Sequence, residues 1–131
     1  MGPCPVDTSS WVEALRVDGD GAVRSRVAAA LGEGRARLAH IVLLELWNGA
    51  RGERERRELS HIEAAVPILE TSEAVWDAAR ALARACRAAG VTVPATDLLV
   101  YACARHHGVD LEHADAHLEA IRVADGLWPL A

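Results

Sequence analysis

The sequence contains no lysine and no phenylalanine, and all 14 of its basic residues are arginine. We interpret this bias as a consequence of genomic base composition and not as a functional signal. Acidic residues outnumber the arginines, and the formal net charge is −5 at pH 7. Because nucleic acids are polyanions, a protein of this charge does not bind them through bulk electrostatics. Contact with RNA or DNA would require a local arginine patch and a bound metal ion.

The sequence also lacks long hydrophobic runs. Its uninterrupted apolar segments fall far short of the roughly 20 residues that a membrane-spanning helix needs. The N-terminal segment MGPCPV shows neither a secretory nor a myristoylation pattern. The three cysteines, Cys4, Cys86 and Cys103, lack C-x-x-C spacing, which argues against a disulfide framework. We therefore expect a cytoplasmic protein without membrane contact, and the length predicts a single domain over residues 1–131.

Short apolar segments alternate with helical patterns of ten or more residues. Ser72 predicts the N-cap of a helix that ends at Gly90, and Pro94 predicts the start of another that ends at Gly108. The alternation favours an α/β fold, a three-layer sandwich with a central parallel sheet of four to five short strands flanked by helices. An all-helical bundle is the alternative, because the helices are rich in alanine. The expected strands are residues 4–7, 37–40, 66–69, 91–93 and 109–111.

Two acidic residues lie in apolar surroundings without a nearby cation. Glu45 is the only polar residue in IVLLELW, and Asp97 precedes the apolar run of VPATDLLVYACA. A buried ionised carboxylate is costly unless it is paired, hydrogen-bonded or bound to a cation. Asp7 and Asp115 lie where predicted strands end, at the edge where parallel sheets place their ligands. We expect these four carboxylates to bind Mg²⁺ or Mn²⁺ and to hydrolyse a nucleic acid backbone.

Three of these acids have a structural alternative. Asp7 would also suit a helix cap, Asp97 would suit an interaction with the helix dipole, and Asp115 would suit an ordinary turn. Glu45 has no such role, because it lies in the middle of a predicted helix between two leucines. The metal hypothesis is therefore strongest for Glu45.

Histidines suggest a second kind of site. The chain has six histidines, and the last two, His113 and His117, are spaced at i,i+4, which can hold zinc. The spacing matches no known zinc finger, so we favour a solvated helix end over a zinc site. The four histidines concerned are His106, His107, His113 and His117.

Four segments follow one another along the chain: VDTSSWVEAL, VLLELWNGARG, VPATDLLVYACARHHG and VDLEHADAHLEAI. Together they resemble the PIN-domain ribonucleases, and most closely the VapC toxins of bacterial toxin–antitoxin pairs. The resemblance extends over nearly the whole chain. It implies that four acids gather around Mg²⁺ or Mn²⁺, here Asp7, Glu45, Asp97 and Asp115, and that the hydroxyl of Ser9 supports the first of them.

The resemblance also implies an activity and partners. These are metal-dependent endonucleolytic cleavage of RNA, a homodimer, and a VapB-type antitoxin whose C-terminal tail blocks the site, with DNA contacted only through that antitoxin. Four residues depart from the family pattern. Pro3 and Pro5 interrupt the first strand, His113 replaces a frequent threonine, and Leu118 replaces a usual aromatic residue.

We therefore expect a VapC-like endoribonuclease, the toxin of a type II toxin–antitoxin system. Arg51 and Arg54 are candidate RNA contacts, although the glutamates between the neighbouring arginines also suit an ordinary charged face. The alternative is a catalytically silent PIN-like module that acts only within an antitoxin–DNA repressor complex. Degenerate modules of that kind usually lose at least one carboxylate, whereas this chain has all four.

Overall fold

The computed structural model describes residues 2–126 of the chain. Strands alternate with helices, as the sequence pattern predicts, and the fold is a helix-rich α/β fold. In chain order the elements are β1 (Cys4–Pro5), α1 (Thr8–Leu15), α2 (Gly21–Gly32), β2 (Ala36–Ala39), α3 (His40–Gly49), α4 (Gly52–Ala65), β3 (Ile68–Leu69), α5 (Glu73–Ala88), α6 (Ala95–His107) and α7 (Ala116–Asp125).

The three strands form one parallel sheet in the order β1-β2-β3. Cys4 pairs with Ala36, and Leu38 pairs with Ile68. Parallel strands need crossover connections, and α1 with α2 and α3 with α4 provide them. Because all strands run in one direction, their carboxyl ends meet at the same edge of the sheet. Asp7 and the start of α3 both lie at this edge.

A fourth segment continues the sheet beyond β1 but is reduced to one parallel bridge, between Val6 and Glu112. Glu112 donates its backbone N–H to the carbonyl of Pro5 at 2.9 Å, and its carbonyl accepts from the N–H of Asp7 at 2.8 Å. Pro5 has no N–H to offer this neighbour, so the ladder is short on this side of β1. The pairing falls just after the strand expected at 109–111, and residues 91–93 form no strand.

The side chain of Glu112 anchors this fourth segment to the first two helices. It accepts hydrogen bonds from Ser10 Oγ at 3.0 Å and from Arg26 Nε at 2.8 Å and Nη2 at 3.3 Å. Ser10 is completely buried. A partly buried carboxylate that accepts from a guanidinium in this forked arrangement is well compensated. The segment that leads to Asp115 is therefore fixed relative to α1.

Helix boundaries follow from local capping chemistry. Ser72 caps α5 by accepting from the N–H of Val75, and Gly108 ends α6 in the left-handed conformation with φ of 64°. Both boundaries confirm the predictions from sequence. One face of α5 is apolar and packs against α6 and α7. Its buried residues are Val75, Ala79, Leu82 and Cys86.

Helix α6 is the central helix of the core. Every residue from Asp97 to Ala104 is buried, and the helix contacts α3, α5 and α7. A helix that is apolar on all sides requires burial on all sides. Cys4, Cys86 and Cys103 are free and buried, as expected for small core residues. The consequence for Asp97 is that the first turn of a buried helix holds its carboxylate inside the protein.

None of the helices within residues 2–126 combines the length and the apolar character needed to cross a membrane.

Candidate metal centre

Asp7 lies at the carboxyl end of β1 and caps α1. Only 3% of the residue is exposed. Its Oδ2 accepts from the backbone N–H of Ser9 at 3.2 Å and from Ser9 Oγ at 2.6 Å. Ser9 Oγ in turn accepts from the N–H of Ala114 at 3.0 Å. Ser9 therefore ties Asp7 to the loop that precedes α7, and the capping role of Asp7 does not exclude a role in a metal site.

Glu45 lies in the second turn of α3, which begins directly after β2. Its Oε1 accepts a hydrogen bond from Thr8 Oγ1 at 2.9 Å. Burial raises the pKa of Glu45, the bond from Thr8 lowers it in part, and the charge of Asp7 raises it. The carboxylate therefore lies close enough to Asp7 for the two charges to interact.

Asp97 lies in the first turn of α6 and is 8% exposed. Within residues 2–126 its Oδ2 is buried and has no hydrogen-bond partner. Burial raises the pKa of Asp97 to about 6; the charges of Asp115, Asp7 and Glu45 add to the rise, and His117 opposes it. The charges of the other three predicted acids thus all act on Asp97.

Asp115 is the N-cap of α7, and its Oδ1 accepts from the backbone N–H of His117 at 2.8 Å. The ring of His117 turns back toward the acids. Its Nδ1 lies 3.4 Å from Asp97 Oδ2 and 3.4 Å from Asp115 Oδ1. One ligand atom from each of these three residues lies within 4.8 Å of the others, an arrangement that could hold a metal ion.

The position of His117 was not expected from the sequence. The hypothesis of a zinc site pairs it with His113, but the Nδ1 of His113 accepts from the N–H of Asp115 at 3.3 Å. His107 Nε2 lies 2.9 Å from the carbonyl of Glu70 at the other end of α6. The available signal was the D-x-H spacing of Asp115 and His117, because an N-cap acceptor brings the residue two positions later close to it.

The donor set fits a divalent cation. Asp97, Asp115 and His117 each bring one ligand atom within 4.8 Å of the others, and the charges of Asp7 and Glu45 act on Asp97. Within residues 2–126 no arginine hydrogen-bonds to any of the four acids. A buried carboxylate oxygen without a partner, as in Asp97, is costly unless a ligand or cation compensates it. Oxygen donors of this kind suit Mg²⁺ and Mn²⁺. Asp7, Glu45, Asp97 and Asp115 are the residues that would hold the ion.

A groove of about 370 Å³ opens beside Glu45, between α1, α3 and α4. Arg51 lines it, and so does Arg16, which the sequence did not single out. Arg54 does not: its guanidinium donates to Glu58 Oε1 at 2.8 Å and to the carbonyl of Leu15 at 3.2 Å. Of the two arginines expected to contact RNA, only Arg51 faces the groove.

Comparison with known proteins identifies the family. The model of the PIN domain matches residues 5–124, and the chain belongs to this family. The expected PIN-like fold is thereby confirmed. No curated protein matches the chain in sequence.

Solved structures share the fold at low sequence identity. FitAcB from Neisseria gonorrhoeae superimposes with a TM-score of 0.71 and 18% identity, covering 90% of this chain and 92% of the other. VapC20 from Mycobacterium tuberculosis, a toxin that cleaves the sarcin-ricin loop, gives a TM-score of 0.70 and 21% identity over 89% and 93%. VapBC2 from Rickettsia felis bound to promoter DNA gives 0.68 and 17% over 82% and 84%.

Proposed function

We propose that this protein is a divalent-metal-dependent endoribonuclease and the toxin of a type II toxin–antitoxin pair. One observation carries the proposal: Asp97 holds a buried carboxylate oxygen without a hydrogen-bond partner, within a cluster of three further acids. A structural role does not account for this group, because its burial costs stability. Membership of the PIN family agrees with a nuclease, and the similarity to a toxin that cleaves the sarcin-ricin loop agrees with RNA as substrate.

Asp7, Glu45, Asp97 and Asp115 would hold Mg²⁺ or Mn²⁺. When bound, such an ion lowers the pKa of a coordinated water and neutralises charge that develops on a phosphodiester. The residues around the acids keep them in place. Ser9 holds Asp7 through its backbone N–H and its hydroxyl. Partners of this kind limit the reorganisation that ion binding requires.

RNA would approach along the groove beside Glu45. Arg51 lines this groove with an exposed side chain, and Arg16, the residue that follows α1, lines it as well. Phosphate contacts from arginine fix the position of a strand without reading its sequence. In a protein with a net charge of −5, such contacts have to be local. We therefore propose Arg51 as an RNA contact, whereas Arg54 is held by Glu58 and Arg16 forms an ion pair with Glu13 at 3.5 Å.

The test is cleavage of structured and unstructured RNA by the purified protein in Mg²⁺, in Mn²⁺ and in EDTA. Loss of a residue that merely supports a metal ligand costs about 10- to 100-fold. We therefore expect Asp97→Asn, which removes a ligand, to lower cleavage by at least about 100-fold. The matched control is Asp110→Asn, an exposed acid two positions after Gly108.

Cleavage that requires the metal and is lost only in Asp97→Asn supports the proposal. Cleavage that continues in EDTA, or in Asp97→Asn at the wild-type rate, contradicts it. If the wild-type protein does not cleave the RNA, calorimetry with Mn²⁺ distinguishes two explanations. A protein that binds Mn²⁺ without cutting lacks its target RNA, and one that binds no metal is not a metal-dependent nuclease.

The proposed partners are a VapB-type antitoxin, which would contact promoter DNA, and a second copy of the chain. Solved relatives include VapBC2 bound to a DNA fragment from its promoter. We place the protein in the cytoplasm, where the RNA substrate is found. Growth arrest on expression, relieved by an antitoxin encoded beside it, tests the toxin role. Light scattering of the purified protein tests the homodimer.

A second candidate function is a catalytically silent PIN module that serves only in an antitoxin–DNA complex. DNA-bound complexes among the structural relatives favour it, including VapBC from Salmonella typhimurium. The intact set of four acids disfavours it, since a silent module gains nothing from a buried carboxylate. Repression without RNA cleavage or metal binding would support this alternative.

A further inference from the structure

We propose that His117 supplies a nitrogen ligand to the metal site, so that this protein binds Mn²⁺ in preference to Mg²⁺. The inference rests on the proposed metal-dependent function and deepens it. It concerns a residue outside the four-acid set, and it changes the expected chemistry of the site from oxygen donors alone to oxygen and nitrogen donors.

The imidazole of His117 lies close to two of the four acids. Nδ1 of His117 lies 3.4 Å from Asp97 Oδ2 and 3.4 Å from Asp115 Oδ1. The contact between His117 Nδ1 and Asp97 Oδ2 is not a hydrogen bond, since Asp97 Oδ2 has no hydrogen-bond partner within residues 2–126. Two donors that share one ion at about 2.1 Å lie roughly 3.0–3.4 Å apart. Both distances from Nδ1 fall within this range, and all three atoms lie within 4.8 Å of one another.

Hydrogen bonds from the backbone hold the start of α7 in place. Asp115 Oδ1 accepts from the backbone N–H of His117 at 2.8 Å, which fixes the start of α7 to this carboxylate. The N–H of Asp115 donates to His113 Nδ1 at 3.3 Å. These two hydrogen bonds, donated by the backbone N–H groups of His117 and Asp115, position the Cα of His117 independently of its ring. The side chain of His117 is 52% exposed, so burial does not force the ring toward the acids.

Oδ2 of Asp97, one of the two oxygens that His117 approaches, is buried. Asp97 is 8% exposed, and its Oδ2 is directed at the imidazole without a hydrogen bond. An ion between Asp97, Asp115 and His117 would compensate this oxygen. His117 forms an ion pair with this oxygen only when its ring is protonated, so beside a neutral imidazole the buried oxygen has no compensating partner within residues 2–126 and itself indicates a ligand.

The choice of metal follows from the donors. Mg²⁺ prefers oxygen ligands and gives up its water reluctantly, whereas imidazole suits the later transition metals. Mn²⁺ shares the preference of Mg²⁺ for carboxylate oxygen, but as a first-row transition ion it accepts an imidazole beside carboxylates more readily than Mg²⁺ does. Adding one imidazole to the carboxylates therefore favours Mn²⁺ over Mg²⁺ more strongly than carboxylates alone do.

The experiment uses the full chain and two variants. His117→Gln keeps the backbone N–H that Asp115 accepts but removes the imidazole. The control is His61→Gln, an exposed histidine on α4 away from the acids. Calorimetry measures the Kd for Mn²⁺ and for Mg²⁺, and pulsed electron paramagnetic resonance of bound Mn²⁺ detects coupling to a directly coordinated ¹⁴N.

We expect ¹⁴N coupling in the wild-type protein and in His61→Gln, and its loss in His117→Gln. The Kd for Mn²⁺ should rise at least about tenfold in His117→Gln, while the Kd for Mg²⁺ changes by less than about threefold. His117→Asp should bind Mg²⁺ and Mn²⁺ with more nearly equal affinity, because its set contains only oxygen.

Other outcomes overturn the inference in distinguishable ways. Mn²⁺ bound without ¹⁴N coupling, or coupling that persists in His117→Gln, excludes His117 as the ligand and leaves the proposed function intact. Equal losses of Mg²⁺ and Mn²⁺ affinity in His117→Gln would mean a structural role only. A wild-type protein that binds neither ion contradicts the proposed function as well.

Discussion

The hydroxyl of Thr8 donates to Oε1 of Glu45 at 2.9 Å and joins the first turn of α1 to the second turn of α3. The two residues are 37 positions apart in the chain. The bond orients the one predicted acid that lies in the middle of a helix. It also offsets part of the rise that burial causes in the pKa of Glu45.

Replacement of Thr8 by valine should weaken metal binding without unfolding the protein. Valine has nearly the same shape but donates no hydrogen bond, so Glu45 loses its orientation. Outer-sphere partners of this kind contribute about tenfold or more to metal affinity. We expect the Kd for Mn²⁺ in calorimetry to rise about tenfold. Thr92→Val, at an exposed position outside the elements, is the control. Equal affinities for Thr8→Val and wild type would mean that the bond does not orient the ligand.

Replacement of Asp97 by asparagine should stabilise the metal-free protein at neutral pH while it abolishes cleavage. The folded pKa of about 6 lies above the ordinary value of 3.8, so the native state binds this proton more tightly than the unfolded chain. The ionised carboxylate therefore costs stability increasingly as the pH rises from about 4 to about 6. A difference of two pKa units corresponds to at most about 3 kcal/mol. Asparagine avoids this cost because it does not ionise.

Urea unfolding in EDTA tests this prediction at two pH values. The two proteins should have similar stability near pH 4, and Asp97→Asn should be more stable at pH 7 by up to about 3 kcal/mol. Addition of Mn²⁺ at pH 7 should stabilise the wild type and not the variant. A variant that is less stable than the wild type in EDTA at pH 7 would show that Asp97 is retained for structure.

Local chemistry explains which parts of the fold the sequence predicts. Ser72 and Gly108 mark helix ends through short-range capping, and an acid next to an apolar run, such as Asp97, stands out without any tertiary information. The strand expected at 109–111 is reduced to one bridge at Glu112, because Pro5 on the neighbouring strand provides no donor. That outcome depends on strand pairing, which periodicity does not encode.

The site shows the same division. The sequence identifies Glu45 and Asp97 because their surroundings are apolar, and Asp7 and Asp115 because they follow predicted strands. In the structure the charges of the other three act on Asp97, and the role of all four as ligands stays a prediction. His117 could not be assigned, because its ring meets Asp97 only after α6 and α7 have packed. Arg51 and Arg54 are equivalent in sequence and differ in structure, since only Arg54 finds a partner in Glu58 one helical turn later.

Replacement of Tyr101 by phenylalanine should destabilise the fold and leave the cleavage rate of the folded protein unchanged. Tyr101 is fully buried and donates its hydroxyl to Asp125 Oδ2 at 2.8 Å, while Arg105 donates to Oδ1 at 2.9 Å. These bonds join α6 to α7. Burial and the bond to Asp125 raise the pKa of Tyr101, so the phenol stays neutral at working pH. We expect a loss of about 1–3 kcal/mol in urea unfolding. A lower cleavage rate at full folding would instead connect Tyr101 with the site.

Replacement of Arg51 by alanine should weaken RNA binding, whereas Arg54→Ala should not. Arg51 lines the groove beside Glu45 with an exposed side chain, and its backbone N–H, which donates to Glu55 at 2.7 Å, is kept in the variant. Arg54 is held by Glu58. The substrate KM should therefore rise in Arg51→Ala with little change in kcat. The two variants carry the same change of charge, so any difference between them reflects position.

Salt dependence shows whether Arg51 acts on a phosphate. Each phosphate contact with single-stranded nucleic acid contributes about 0.7 to the slope of log K against log salt. RNA binding is measured at several salt concentrations with the catalytically inactive Asp97→Asn protein. In that protein, Arg51→Ala should lower the slope of log K against log salt by about this amount, and Arg54→Ala should leave the slope unchanged. Equal slopes in all three proteins would exclude the groove as the path of the RNA. A loss confined to Arg54→Ala would mean that its pairing with Glu58 opens when RNA binds.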